Sequence, residues 1–216
     1  MTHALQSGVI PAPIMPFQEN GAIDWTTLDR YVAQMAGSGI SALALNMAAA
    51  EATAMSHAEQ VETLQRSRKV LAGQVPLVSG LIAGHTAGAV DHARRLVDAG
   101  AEGLVVFPPL PTFMSKPLPV SVVAEYHAAV VEAVDVPIIA FQTANAGYPV
   151  GTIRALADLG GVVAIKDAAF DIDRTWEIVE EARETEGRVA VLTGNDTFVL
   201  EAMLMGCEGA LIGLAG

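Results

Sequence analysis

A short apolar run recurs eight times along the chain, and each of the first seven is followed by a few turn residues, a stretch with apolar residues three to four apart, and often a closing glycine. The apolar runs occupy 8–17 (GVIPAPIMPF), 39–47 (GISALALNM), 75–82, 103–109, 136–143, 162–169, 189–196 and 209–216. They are continuous rather than alternating, the pattern of strands buried on both faces. Helix signals fill the gaps. Asp24 stands at a candidate cap, Ser56 and Glu59 have capping-box spacing, and the closing glycines suit left-handed helix ends. Eight strands alternating with helices predict a parallel (β/α)8 TIM barrel in one domain spanning 1–216. A doubly wound open sheet normally has fewer strands. The junctions DAGAEGLVV and LMGCEGALI look alike, which hints at an internal βα repeat. No eighth helix follows the last run, and an apolar strand needs a cover, so the natural protein is expected to continue past residue 216.

Composition narrows the function classes. The net charge of −12 argues against a nucleic-acid surface, which needs clustered Lys and Arg. No apolar run reaches the ~20 residues of a membrane span, and the first residues lack a secretory pattern. A single cysteine, Cys207, excludes an internal disulfide framework and fits a reducing, cytoplasmic setting. In GCEGA that thiol has no basic neighbour, so it reads as packing. The histidines show neither His-x-His nor His-Glu-x-x-His spacing, so no metal is expected. SGLIAGHTAG is glycine-rich but lacks dinucleotide-site placement, so no cofactor is expected. Its His85 reads as a polar helix-start residue.

One residue breaks the apolar pattern. The run GVVAIKDAAF carries a lysine in its middle, and lysine is almost never buried without a reason. Of the three lysines, Lys69 lies on a polar stretch and Lys116 in a turn-rich segment. Only Lys166 is flanked by Val, Ala and Ile. In a barrel the chemistry sits at the C-terminal strand ends, and alternation puts Asp167 outside if Lys166 points in. Desolvation would lower the lysine pKa and yield a neutral amine, which attacks a ketone to form a Schiff base.

Here the chain resembles the dihydrodipicolinate synthase / N-acetylneuraminate lyase family of class I aldolases. The resemblance rests on GVIPAPIMPFQENGAIDWTTLDRYV, GLVVFPP, VPIIAFQ, VVAIKDAAFD and VLTGNDTFVLEAMLMGCEGALIG, so it covers essentially the whole chain. It implies a (β/α)8 barrel with a C-terminal helical extension that this chain lacks. It also implies a Schiff base between Lys166 and pyruvate or another 2-oxo acid, and a homo-oligomer, dimer or tetramer. The substrate site it implies contains Ala48, Ala49, Glu51, Phe141, Gly194 and Leu211. Several positions depart from the family pattern. The Gly-Thr-Thr-Gly-Glu-like motif after strand two is MAAAEAT here, with Glu51 kept and both hydroxyls gone. The Tyr-Asn pair of strand five reads Phe141-Gln142, and FPPLPTF stands where the family has tyrosines after strand four. The arginine expected soon after strand five is replaced near Ala146.

Three readings remain open from the residues. The chain is a Schiff-base lyase or aldolase, or a dehydratase or hydratase-aldolase on a sugar-acid or aryl-oxo acid using the same lysine, or a non-catalytic 2-oxo acid binder. Asn46, at the end of strand two, is a candidate pocket residue. Thr193, Asn195 and Asp196 are candidates for lining the site or capping the next helix. Tyr148 is a candidate replacement for the lost phenol.

Overall fold

A computed structural model describes residues 2–109, 118–144 and 146–214. Eight strands form one sheet: β1 Gly8–Pro11, β2 Leu43–Leu45, β3 Leu77–Leu81, β4 Gly103–Val106, β5 Ile138–Thr143, β6 Val162–Ala168, β7 Ala190–Thr193 and β8 Gly209–Ile212. Among the described residues seven α-helices lie between them: α1 Trp25–Ala36, α2 His57–Leu71, α3 Thr86–Asp98, α4 Val120–Ala133, α5 Thr152–Ala157, α6 Ile172–Arg183 and α7 Val199–Met205. All ladder pairs are parallel, in the order β1-β8-β7-β6-β5-β4-β3-β2. The two ends of that order meet: the Ser41 amide donates to the Val9 carbonyl at 2.9 Å and its hydroxyl does so at 3.0 Å. The sheet is therefore a nearly closed barrel, the TIM-barrel architecture expected from the eightfold pattern.

The apolar runs split by parity into two cores. Ile10, Ala44, Val105, Ile139, Ala164 and Leu192 face inward and fill the barrel. Leu45, Leu104, Ile138, Ile165 and Val191 face outward against Leu28, Leu64, Leu96, Val130 and Ile178 of the helices. Both faces of the strands are thus largely dry, apart from Gly8 and Val9 of β1, which are exposed, and that is why the runs carry no polar alternation. The strands are shorter than the runs. Run 8–17 pairs only over Gly8–Pro11, because Pro11, Pro13 and Pro16 have no amide for a ladder. Beyond it, Phe17 bridges Ile23 antiparallel, outside the barrel sheet.

Local signals in the sequence fix the helix starts. Asp24 accepts the Thr27 amide at 3.0 Å. Ser56 and Glu59 form the reciprocal capping box, and His85 Nδ1 accepts the Gly88 amide at 3.0 Å. The two similar junctions also share a bond pattern. Glu102 donates its amide to the Leu77 carbonyl and accepts the Leu77 amide on its carboxylate at 3.0 Å. Glu208 does the same with Val191, its carboxylate accepting at 2.6 Å. In each case a glutamate entering one strand caps the start of the preceding neighbour. Losing such a partner strands a partly buried amide at a cost of about 1–3 kcal/mol. Glu208→Ala and Glu102→Ala should each lower stability by about that amount, measured as the urea midpoint at constant m-value. A loss under ~0.3 kcal/mol in both would show that these bonds are not structural.

Candidate active site

The site grows out of three adjacent strands. In the β5–β6 ladder Phe141 pairs with Lys166 and Thr143 with Ala168, and in β6–β7 Lys166 pairs with Leu192. Phe141, Ala168 and Leu192 all belong to the inner core. Lys166 shares their face, is 8% exposed, and holds Nζ 4.5 Å from the centre of the Phe141 ring. Phe107 of the strand-four end meets that ring edge-on at 4.5 Å. The lysine is therefore inside the barrel near the C-terminal strand ends.

Burial sets its chemistry. Removing the ammonium from water pushes the Lys166 pKa down to about 8, while the charge of Asp196 opposes the shift. The ring face of Phe141 attracts a cation and works in the same direction as Asp196. Desolvation wins because no carboxylate or hydroxyl among the described residues hydrogen-bonds the amine. Gly194 makes room for the chain: a Cβ there would lie 2.5 Å from Lys166 Cε, 3.0 Å from Ala168 Cβ and 3.1 Å from the Asp167 carbonyl oxygen. Its amide donates to that same carbonyl at 2.6 Å, so β7 cannot retreat from β6.

The outer face of the same strands carries a hydrogen-bond hub. Asp167, fully buried, accepts from Gln142 Nε2 at 2.8 Å, Thr175 Oγ1 at 2.6 Å, Asn195 Nδ2 at 3.2 Å and the Ala169 amide at 3.1 Å. Gln142 Oε1 in turn accepts the Tyr148 amide at 2.9 Å, and Asn195 Oδ1 accepts the Phe170 amide at 2.7 Å. One carboxylate thus ties β5, α6 and the segment after β7, with the loops after β5 and β6, to β6. Alternation along β6 predicts Asp167 on the outer face, where it lies, while its partners, scattered over the chain, are not legible in the sequence.

The remaining candidates fall into two groups. Ala49 approaches the strand-eight end, its Cβ 3.8 Å from where a Gly213 Cβ would lie, and Asp196 Oδ2 is 3.9 Å from the same point. Ala48 and Ala49 are exposed at this rim, in a single 3-10 turn after β2. Leu211 lies deeper, fully buried and paired with Ile10. Glu51 is exposed in a left-handed conformation, φ 52, and its carboxylate has no hydrogen bond or ion pair among the described residues.

Others turn away from the lysine. Asn46 is buried and donates to Ser79 Oγ at 3.0 Å and the Gln60 carbonyl at 3.3 Å, fastening β2 to β3 and α2. Thr193 accepts the Asn195 amide at 3.2 Å, and Asn195 serves the Asp167 hub. Asp196 caps no helix, since α7 begins at Val199; it accepts the Leu214 amide at 2.9 Å. Tyr148 does not enter the barrel mouth. Its hydroxyl lies 3.3 Å from His127 Nε2 in the outer core, where burial lowers the His127 pKa to about 4.

Comparison with known proteins settles the family. A sequence model of the dihydrodipicolinate synthetase family matches residues 5–214. The chain belongs to the dihydrodipicolinate synthetase family. A 4-hydroxy-tetrahydrodipicolinate synthase of Natronomonas pharaonis is 29% identical over 214 residues, covering 98% of this chain and 70% of that protein. Another, of Sorangium cellulosum, is 30% identical and covers 95% and 67%. Among solved structures, the dihydrodipicolinate synthase of Thermotoga maritima superposes with a TM-score of 0.86 at 24% identity, over 95% of this chain and 69% of its own. The Acinetobacter baumannii enzyme, solved with pyruvate, superposes with 0.85 at 23%, over 95% and 69%. These two share the family barrel, and no helix among the described residues of this member is long and apolar enough to cross a membrane.

Two substitutions probe the site. Lys166→Met removes a buried cation. Because the folded-state pKa lies below the unfolded 10.5, the penalty of burying the charge is fully present below pH 8. It is lost as pH rises from 8 to 10.5. Lys166→Met should therefore raise stability at pH 7 by up to about 3 kcal/mol, with the gain shrinking in thermal melts taken toward pH 10. A variant less stable at pH 7 would contradict the desolvated amine. Gly194→Ala should push the Lys166 chain aside and lower stability by about 1–3 kcal/mol, the usual cost of overpacking, read as the urea midpoint, because its Cβ would meet Lys166 Cε at 2.5 Å. Unchanged stability in that variant would show that Gly194 is not what gives the lysine its room.

Proposed function

We propose that this protein is a Schiff-base lyase or aldolase acting on a small 2-oxo acid such as pyruvate. The observation that carries the reading is one lysine, desolvated inside the barrel at the C-terminal end of strand six. With a pKa of about 8, roughly a tenth of Lys166 is neutral at pH 7, against about three in ten thousand for an ordinary lysine. The neutral amine adds to the ketone carbon, the carbinolamine loses water, and the resulting iminium takes up the electron pair when a bond at the neighbouring carbon is broken. Reversal adds the enamine to an aldehyde. Membership of the family and the pyruvate complex of the Acinetobacter relative support a 2-oxo acid as the electrophile.

Lys166 is the nucleophile in this reading. Gly194 gives it room, Phe141 and Phe107 form a dry wall, and Ala48, Ala49, Glu51 and Leu211 complete the substrate site from strands two and eight. The buried free thiol of Cys207 fits a cytoplasmic protein, and the family resemblance supports a homo-oligomer.

Borohydride reduction with pyruvate and other 2-oxo acids, read by mass spectrometry, tests the proposal. We expect one covalent adduct on Lys166, lost in Lys166→Ala, forming faster as pH rises through about 8. Absence of an adduct with every 2-oxo acid from folded protein would overturn the reading. An adduct without turnover of any aldol or dehydration substrate would make the chain a binder.

A further inference from the structure

Proton transfer is unassigned in this site. Making an enamine from the iminium requires a proton to leave the carbon next to it, and the residue paired with Lys166 on strand five is Phe141, with no ionisable group. The other hydroxyls nearby are committed. Tyr148 contacts His127, Thr193 accepts the Asn195 amide, and Thr175 donates to Asp167.

Thr143 is different. Alternation along β5 carries it onto the face of Ile139 and Phe141, and it pairs in register with Ala168, an inner-core residue. It stands one layer above the Phe141–Lys166 pair. The lysine chain climbs toward that layer, since its Cε crowds the position of a Gly194 Cβ and Ala168 lies 3.0 Å from the same point. Thr143 Oγ1 is buried and has no hydrogen-bond partner among the described residues. A buried hydroxyl left without a partner costs about 1–3 kcal/mol, and such orphans are few in folded proteins. Its partner across the ladder, Ala168, is a small side chain with no polar group to satisfy that hydroxyl.

We infer that Thr143 is a catalytic residue that touches the bound 2-oxo acid and relays the proton between its C3 carbon and solvent. The inference rests on the Schiff-base reading. In the step, the C3–H bond breaks and its electron pair becomes the C2=C3 bond of the enamine as the iminium nitrogen takes back its pair. The proton goes to Thr143 Oγ1 while the hydroxyl's own proton passes to water at the barrel mouth. A hydroxyl is too weak a base to hold the proton, so it acts only as a relay. The bound acid also supplies the partner that Oγ1 lacks.

Pyruvate itself is the probe. Wild type and the Thr143→Val and Thr143→Ser variants are incubated with pyruvate in D2O, and loss of the methyl proton signal is followed by NMR. In parallel the borohydride adduct on Lys166 is quantified. Valine keeps the shape and removes the hydroxyl. We expect Thr143→Val to retain the adduct, which also shows that it is folded, and to lose about a hundredfold in exchange rate, the low end of general acid–base contributions. Thr143→Ser should stay within about tenfold of wild type. Exchange in Thr143→Val within about threefold of wild type, or a wild type that forms the adduct but does not exchange, would overturn the role of Thr143 and leave the Schiff-base reading standing. A wild type that forms no adduct would overturn the Schiff-base reading, and this inference with it.

Discussion

The carboxylate of Asp167 holds the site together from behind. It accepts four hydrogen bonds on the outer face of β6, from β5, from the turn after β6, from α6 and from the segment after β7. Side chains on a strand alternate, so a slip of one residue would turn this carboxylate into the barrel and Lys166 out against the helices. Every donor of the hub would then lose its acceptor. The register that satisfies Asp167 is the register that buries the lysine. Holding an amine in a dry interior is unfavourable by itself, and the polar network on the opposite face is what offsets it.

Strain gathers at the same rim. Asn46, Glu51 and Phe170 adopt positive φ values of 53, 52 and 55, each in a loop that follows the C-terminal end of a strand. A left-handed conformation costs a non-glycine residue about 1–2 kcal/mol, and such residues persist where surrounding bonds over-determine them. The Phe170 amide is held by Asn195 and Asn46 is held by Ser79 and Gln60. The two remaining examples, Ala72 and Glu186, end helices or turns on the other side of the repeat, where a left-handed residue is ordinary.

The fold was legible because its signals are local or periodic. Continuous apolar runs marked the strands, Asp24 and the Ser56–Glu59 pair marked helix starts, and the similar Glu-Gly junctions at Glu102 and Glu208 marked a repeated bond. The strand ends were less legible, since prolines 11, 13 and 16 preserve apolarity while removing ladder donors. The lysine was legible too, as a charge in a run that has no room for one. The polar residues around it were not. Asn46, Asn195 and Tyr148 sit at strand ends or in loops where sequence cannot tell inward from outward, and each turned out to serve packing.

The sequence alone determined the barrel class, the strand that carries the lysine and the loss of the family's hydroxyls, because apolar period and residue identity are written in the chain. Only the tertiary structure decided which polar groups share the interior with Lys166. That depends on register between strands far apart in sequence. Phe141 meets Lys166, Thr143 meets Ala168, and Gly194 yields to the lysine chain because β5, β6 and β7 align with one another within one residue. The drop in the lysine pKa belongs to the same class of fact, since desolvation is a property of the closed barrel and of no single segment.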